Sequence, residues 1–201
     1  MHLTGVASVL IAAKFEETDA PSVADLVRAA RGACTKEDVL VMELRILRSI
    51  DYRLGRPSPL HFLRRHAAAA SVFMEHVGAR HCSLAEYLME LALTEYGLCH
   101  HLPSELAAAA IGLSIRILDA GRRRTPLYWN KSMETYSGYV AAALEPLMTK
   151  LCAVLVDSDS KNLRGVRAKY NNQRYSSISA APQLSSTFVK FMSQKASTFD
   201  N

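Results

Sequence analysis

Two stretches of this chain, Leu3–Phe15 and Leu106–Leu118, are almost wholly apolar and crowded with small side chains. A helix without a polar face belongs in the middle of a bundle, packed on every side. Gly5, Ala7, Ser8, Ala12 and Ala13 in the first stretch let neighbouring helices approach closely. The second carries the run Ala107–Ala110 and Gly112. Each stretch is followed by a short helical pattern and then a longer amphipathic one. This predicts two copies of one helical unit, the first without its beginning. The apolar run just after Met1 has no preceding Lys or Arg and is too short to span a bilayer. It is expected to be a buried helix, with no membrane partner.

The rest of the chain punctuates itself. The first helix is expected over about His2–Glu17, and a second, short one near Ser22–Ala30, opened at Pro21. Thr35 with Asp38 resembles a capping box for a third helix reaching about Ile50. Val39, Met42, Ile46 and Ile50 lie on adjoining turns, as do Leu40, Leu44 and Leu47. Gly55, Arg56, Pro57, Ser58 and Pro59 then break the pattern and mark a domain boundary. Beyond it, helices are expected over about Leu60–Phe73, from a Ser83/Glu86 capping box, and from Pro103 to a closing Gly121. Two more are expected over Trp129–Tyr136 and Tyr139–Leu155. Lys161–Tyr170 reads as a basic surface helix, and Asn171–Asn201 as a polar, Ser-rich tail or surface-hugging segment. The division is therefore 1–56, 57–156 and 157–201.

Among 201 residues, 49% are hydrophobic and 21% charged, which is globular composition with ample helix formers. The net charge of +5 is concentrated at Arg64–Arg65, Arg122–Arg124 and Lys161–Arg174. No aromatic residues interleave there as a nucleic-acid stacking platform needs, so these read as solvated surface. Cys34, Cys82, Cys99 and Cys152 have no metal-ligand spacing, and adjacent His100 and His101 do not converge on one ion. There is no phosphate-binding glycine loop, no nucleophile elbow and no kinase signature. No catalytic residue, cofactor or metal is expected, and the chain is expected to work by contact.

Two charges sit where apolar residues are expected. Lys14 shares a face with Leu10 and Ile11. Glu43 lies amid Val39, Ile46, Leu47 and Ile50. A carboxylate buried unpaired costs several kcal/mol. Either Glu43 sits at the edge of the stripe or pairs within the chain, with Arg45, Arg48 or Lys14, or both charges lie on an apolar surface that a partner covers. Charge-assisted bonds to such a partner contribute about 1.5–3 kcal/mol each.

These residues resemble the cyclin family. Leu3–Glu17, with the run AAKFEE at Ala12–Glu17, is similar to the third helix of the first cyclin box. Pro21 stands where that family carries a proline pair. Thr35–Arg65 resembles the fifth helix and the link into the second box, and LGRPSPLHFLRR is most like the mitotic B type. Leu84–Tyr96, Val166–Ser179 and Pro182–Leu184 continue the resemblance in order.

The resemblance implies an all-α cyclin fold: a partial first box of three helices, then a complete five-helix second box with a C-terminal extension. It implies a non-enzymatic subunit of the nucleus and cytoplasm that binds and allosterically activates a cyclin-dependent protein kinase at G2/M. Lys14 and Glu43 match the family's kinase-contacting Lys and Glu, and Ile11, Phe15, Leu47, Tyr52 and Leu54 its apolar contacts. Met1 and His2 match a remnant of the patch that docks kinase substrates. The rest of that patch, and an N-terminal degradation signal, are expected to be missing. The alternative on the same twin-box fold is a transcription factor binding DNA and the RNA polymerase machinery through the basic clusters. Neither a zinc ribbon nor DNA-facing arginines are visible for it.

Overall fold

A computed structural model describes residues 2–120, 128–160 and 164–196, the side chains of Asp159, Ser160 and Ala196 excepted. The described residues are all-α, with ten α-helices, four short 3-10 turns and no strand. They divide into two compact units, Met1–Arg56 and Pro57–Asn201.

The first unit holds α1 (His2–Glu16), α2 (Val23–Ala29) and α3 (Lys36–Ser49). Thr35 starts α3 with the expected box: its hydroxyl accepts the Asp38 N–H at 3.1 Å, and the Asp38 carboxylate accepts the Thr35 N–H at 3.0 Å. Ser22 and Asp25 repeat the device at α2, so the cap is Ser22 rather than Pro21. Each box satisfies donors that the first helical turn leaves orphaned. The core clusters around Leu10, Cys34 and Val39, with Val6, Leu26 and Val27 packed against it. The expectation that α1 is enclosed on every side is not met within this unit. Ala7, Leu10, Ile11 and Ala13 are buried, but Val9 is half-exposed. Within this unit α1 packs on α2 and α3.

The second unit is built around α6 (Pro103–Leu118), buried without interruption from Leu106 to Ile115. It packs against α4 (Pro59–Phe73), α5 (Ala79–Ala92) and α8 (Ala141–Ser160). Small residues make this crowding possible. A Cβ on Gly112 would stand 2.6 Å from the Met148 Cε and 3.5 Å from the Trp129 ring. Between α6 and α8 lies α7 (Lys131–Ser137), capped by Asn130, whose side chain accepts the Met133 N–H. Trp129, expected inside that helix, precedes it and is buried, its indole N–H donating to the Tyr139 carbonyl at 2.8 Å. Helices α4 to α8 make up the expected five.

Three expectations need correction or lie outside the description. The Ser83/Glu86 box does not open α5. That helix starts a turn earlier, with Gly78 as N-cap and its N–H on His81 Nδ1 at 3.1 Å, so Ser83 is mid-helix. Gly121 lies outside the described residues, and α6 ends at Leu118 with Asp119 as its cap. The C-terminal segment is more than a tail. After α9 (Arg164–Tyr170) and three 3-10 turns, α10 (Thr187–Ala196) lies on α8. Tyr170, Ile178, Val189 and Met192 belong to the main core.

His66 of α4 is 3% exposed and faces Tyr136 edge-on. Neither ring nitrogen makes a hydrogen bond of normal geometry. Burial lowers its pKa, with a weak backbone interaction at Ser104 opposing and Arg65 reinforcing. The neutral ring is therefore favoured in the folded state. An unfolded chain takes up a proton as pH falls through about 6.5, and the folded one resists, so stability declines below that pH. Thermal melts should show a smaller loss between pH 7 and pH 5 in His66→Leu than in the parent. An equal loss would mean that His66 is protonated without penalty.

Candidate functional site

Helices α1 and α3 pair the two charges that the sequence singles out. Lys14 stands one turn beyond Leu10 and Ile11 on α1, and Glu43 sits mid-way along α3. Their side chains meet, Nζ to Oε1, at 2.7 Å. Of the internal partners open to Glu43, the fold selects Lys14 over Arg45 and Arg48. The pair is asymmetric: the Glu43 side chain is 11% exposed and that of Lys14 51%. The carboxylate is thus held in the packed layer, while the ammonium reaches the surface.

Beside this pair lies a shallow groove of 240 Å³ lined by Ser8, Ile11, Ala12, Phe15, Ile46 and Leu54 among others. Three of the expected apolar contacts, Ile11, Phe15 and Leu54, therefore come together in one place. Ile11 is buried as its floor, and Phe15 is 52% exposed. Leu47 is half-buried on α3. Leu54 arrives through a tight turn: Asp51 and Tyr52 both take positive φ, 51° and 55°, and the Tyr52 N–H bonds to the Leu47 carbonyl at 2.9 Å. Left-handed backbone is costly for residues with a Cβ, about 1–2 kcal/mol each. Such strain is characteristic of functional segments. The turn leaves the Tyr52 ring exposed at the surface.

Of the two expected docking residues, Met1 lies outside the described residues. His2 is exposed and lines a second groove of 530 Å³ with Gly5, Val6, Val9 and Leu26. The sequence reading missed one feature of this unit. Leu40 and Leu44, expected on a packed stripe of α3, are exposed together with Val41. Their i, i+4 spacing fixes a common face but does not say whether anything covers it.

Titratable side chains also cluster elsewhere among the described residues. No group of three His, Cys, Asp or Glu side chains there is arranged to hold a metal ion. His76 and His81 approach the buried Asp119 carboxylate at 3.4 and 3.6 Å. His81 Nδ1 already accepts the Gly78 N–H, so its Nε2 carries the proton and faces Asp119 as a donor, not as a ligand. All four cysteines are free, and burial pushes the Cys152 thiol up to about 12. No single described helix is long and apolar enough to cross a membrane.

A wider groove, 940 Å³, belongs to the second unit and runs between α4, α5 and α9. Glu90 in its wall accepts hydrogen bonds from Lys169 and from the Tyr170 hydroxyl. Burial first, and Glu90 second, raise the pKa of that hydroxyl far above the usual range. Nothing in the sequence marked this groove, because its walls come from segments far apart in the chain.

Comparison with known proteins matches residues 57–184 to the cyclin C-terminal domain and residues 1–55 to the cyclin N-terminal domain. The chain is 39% identical over 189 residues to a G2/mitotic-specific cyclin-B of Patella vulgata, covering 94% of this chain and 44% of that protein. It is 40% identical to a G2/mitotic-specific cyclin-B of Spisula solidissima, with 94% and 42% covered. To a G2/mitotic-specific cyclin-B2 of Oryzias latipes it is 41% identical, with 96% and 47% covered. The chain spans just under half the length of these relatives.

Proposed function

Because the chain belongs to the cyclin family, we propose that it is a regulatory subunit that binds and allosterically activates a cyclin-dependent serine/threonine kinase at G2/M. The observation that carries this reading is the Lys14–Glu43 pair beside the open apolar groove of Ile11, Phe15 and Leu54. An ion pair next to exposed apolar surface is the composition of an interface: greasy area supplies affinity, and charge-assisted bonds fix register.

In this reading the subunit supplies no catalytic group. A protein kinase needs its Lys–Glu ion pair closed and its activation loop placed before it transfers phosphate. The face formed by α1 and α3 packs on the kinase helix that carries that glutamate and binds its inward position better than its outward one. Differential affinity alone shifts the kinase toward its active state. Lys14 and Glu43 bond to the kinase backbone, while Ile11, Phe15, Leu47, Tyr52 and Leu54 supply the apolar contact. Met1 and His2 contribute to a docking patch for kinase substrates. The protein acts in the nucleus and cytoplasm, and nucleic acid is not its partner.

The test mixes the purified chain with a purified cyclin-dependent kinase catalytic subunit, Mg-ATP and histone, with duplex DNA as a separate binding arm. The expected result is no phosphorylation by the chain alone, stimulation of the kinase by the chain, and no specific DNA binding. Phosphorylation by the chain alone, or DNA binding without kinase binding, would overturn the reading.

A further inference from the structure

We infer that Ser58 is a modification site: the phosphoryl acceptor for a proline-directed serine/threonine protein kinase that uses Mg-ATP. Of the seven prolines in the chain, two follow a hydroxyl residue, at Ser58–Pro59 and Thr125–Pro126. The first lies within the described residues. Proline lacks an N–H and has a fixed φ, so a kinase can select it directly after the acceptor by shape alone.

Ser58 stands at the end of an irregular stretch, directly before α4. Residues 53–58 have no regular secondary structure. The backbone bonds within this stretch are local, from the Leu54 N–H to the Tyr52 carbonyl and from the Arg56 N–H to the Leu54 carbonyl. Ser58 itself is extended, with φ −75° and ψ 160°. With Pro59 and Leu60 it lines the open 940 Å³ groove, and it is half-buried there.

A serine immediately before a helix ordinarily spends its hydroxyl oxygen on an amide of the first turn. Here it does not: no first-turn N–H donates to Ser58 Oγ. The oxygen instead lies 2.8 Å from His61 Nδ1, which also accepts the Ser58 N–H at 3.3 Å. Nδ1 is therefore the acceptor and the hydroxyl the donor. His61 holds the side chain in place.

In the reaction, Ser58 Oγ attacks the γ-phosphorus of ATP. The new O–P bond forms as the bond to the β,γ-bridging oxygen breaks, and ADP leaves with that electron pair. The hydroxyl proton passes to the kinase's catalytic aspartate. The phosphate ends at the N-terminus of α4, where the helix dipole favours a negative charge, so the fold tolerates the product.

This inference stands apart from the kinase-activating role. The test incubates the full chain with a purified proline-directed kinase of the mitogen-activated class and Mg-ATP, then maps phosphate by mass spectrometry. Phosphate is expected on Ser58, absent in Ser58→Ala and slowed by about tenfold or more in Pro59→Ala, which keeps the hydroxyl. Circular dichroism on both variants checks that they are folded. A synthetic peptide of residues 53–63 serves as the unfolded reference. Phosphate on the peptide but not on the folded chain would show the fold shielding Ser58 and would overturn the inference. So would phosphate on neither, on Thr125 alone, or at an unchanged rate in Pro59→Ala.

Discussion

Reversing the ion pair, Lys14→Glu together with Glu43→Lys, is expected to leave the first unit folded while weakening kinase binding by about 30-fold or more. The structure explains why the two effects separate. The charges meet each other at 2.7 Å, so the reversed pair retains its internal attraction. What reversal removes is the match to a partner's donors and acceptors. Loss of one side of a buried charged contact costs about 2–5 kcal/mol, and the lower end is already that 30-fold.

The single variants should differ from each other in stability. Lys14→Ala strands a carboxylate that is 11% exposed, whereas Glu43→Ala strands an ammonium that is half in water. Lys14→Ala should therefore melt lower, because the uncompensated group is the more buried one. Calorimetric affinity and melting temperature measured on the same samples decide the matter. A reversed pair that binds the kinase as the parent does would reduce Lys14 and Glu43 to an internal brace.

Hydrogen exchange on the isolated chain should show amides of α1 and α3 exchanging about 100-fold faster than those of α5, α6 and α8. The first unit rests on a core around Leu10, Cys34 and Val39. The second buries a contiguous set from Leu63 to Met192. Each fully buried aliphatic side chain contributes about 1.5–3 kcal/mol, so the deficit of even two of them spans that ratio. Local opening free energies follow such differences in buried contact. The exposed Val9, Leu40, Val41 and Leu44 should also make the chain associate as its concentration rises. Equal protection in both units would show that three helices suffice for a stable first unit. Added kinase should slow exchange in α1 and α3 specifically.

Much of this was legible residue by residue. The break at Gly55–Pro59 and the apolar, small-rich run of α6 can each be read because Pro, Gly and side-chain size act locally. The Ser83/Glu86 motif misled because its spacing also occurs inside helices. The real start depended on a Gly78 N–H finding His81 three residues on. The packing of α10 was hidden by a polar, Ser-rich composition, in which Val189 and Met192 are too few to outweigh their neighbours. Lys14 and Glu43 were each visibly misplaced among apolar residues. That charges 29 positions apart would satisfy one another is a matter of tertiary geometry.

The enclosure of α6 has a consequence for how this sequence can drift. Most helices have a water-facing side on which substitutions accumulate freely, so their tolerance rises and falls with the helical turn. From Leu106 to Ile115 no position here has that freedom. A larger residue must displace α4, α5 or α8, and a smaller one opens a void between them. Variation along this segment should therefore be uniformly sparse, and the second unit can diversify only from its periphery inward, around an axis that stays fixed.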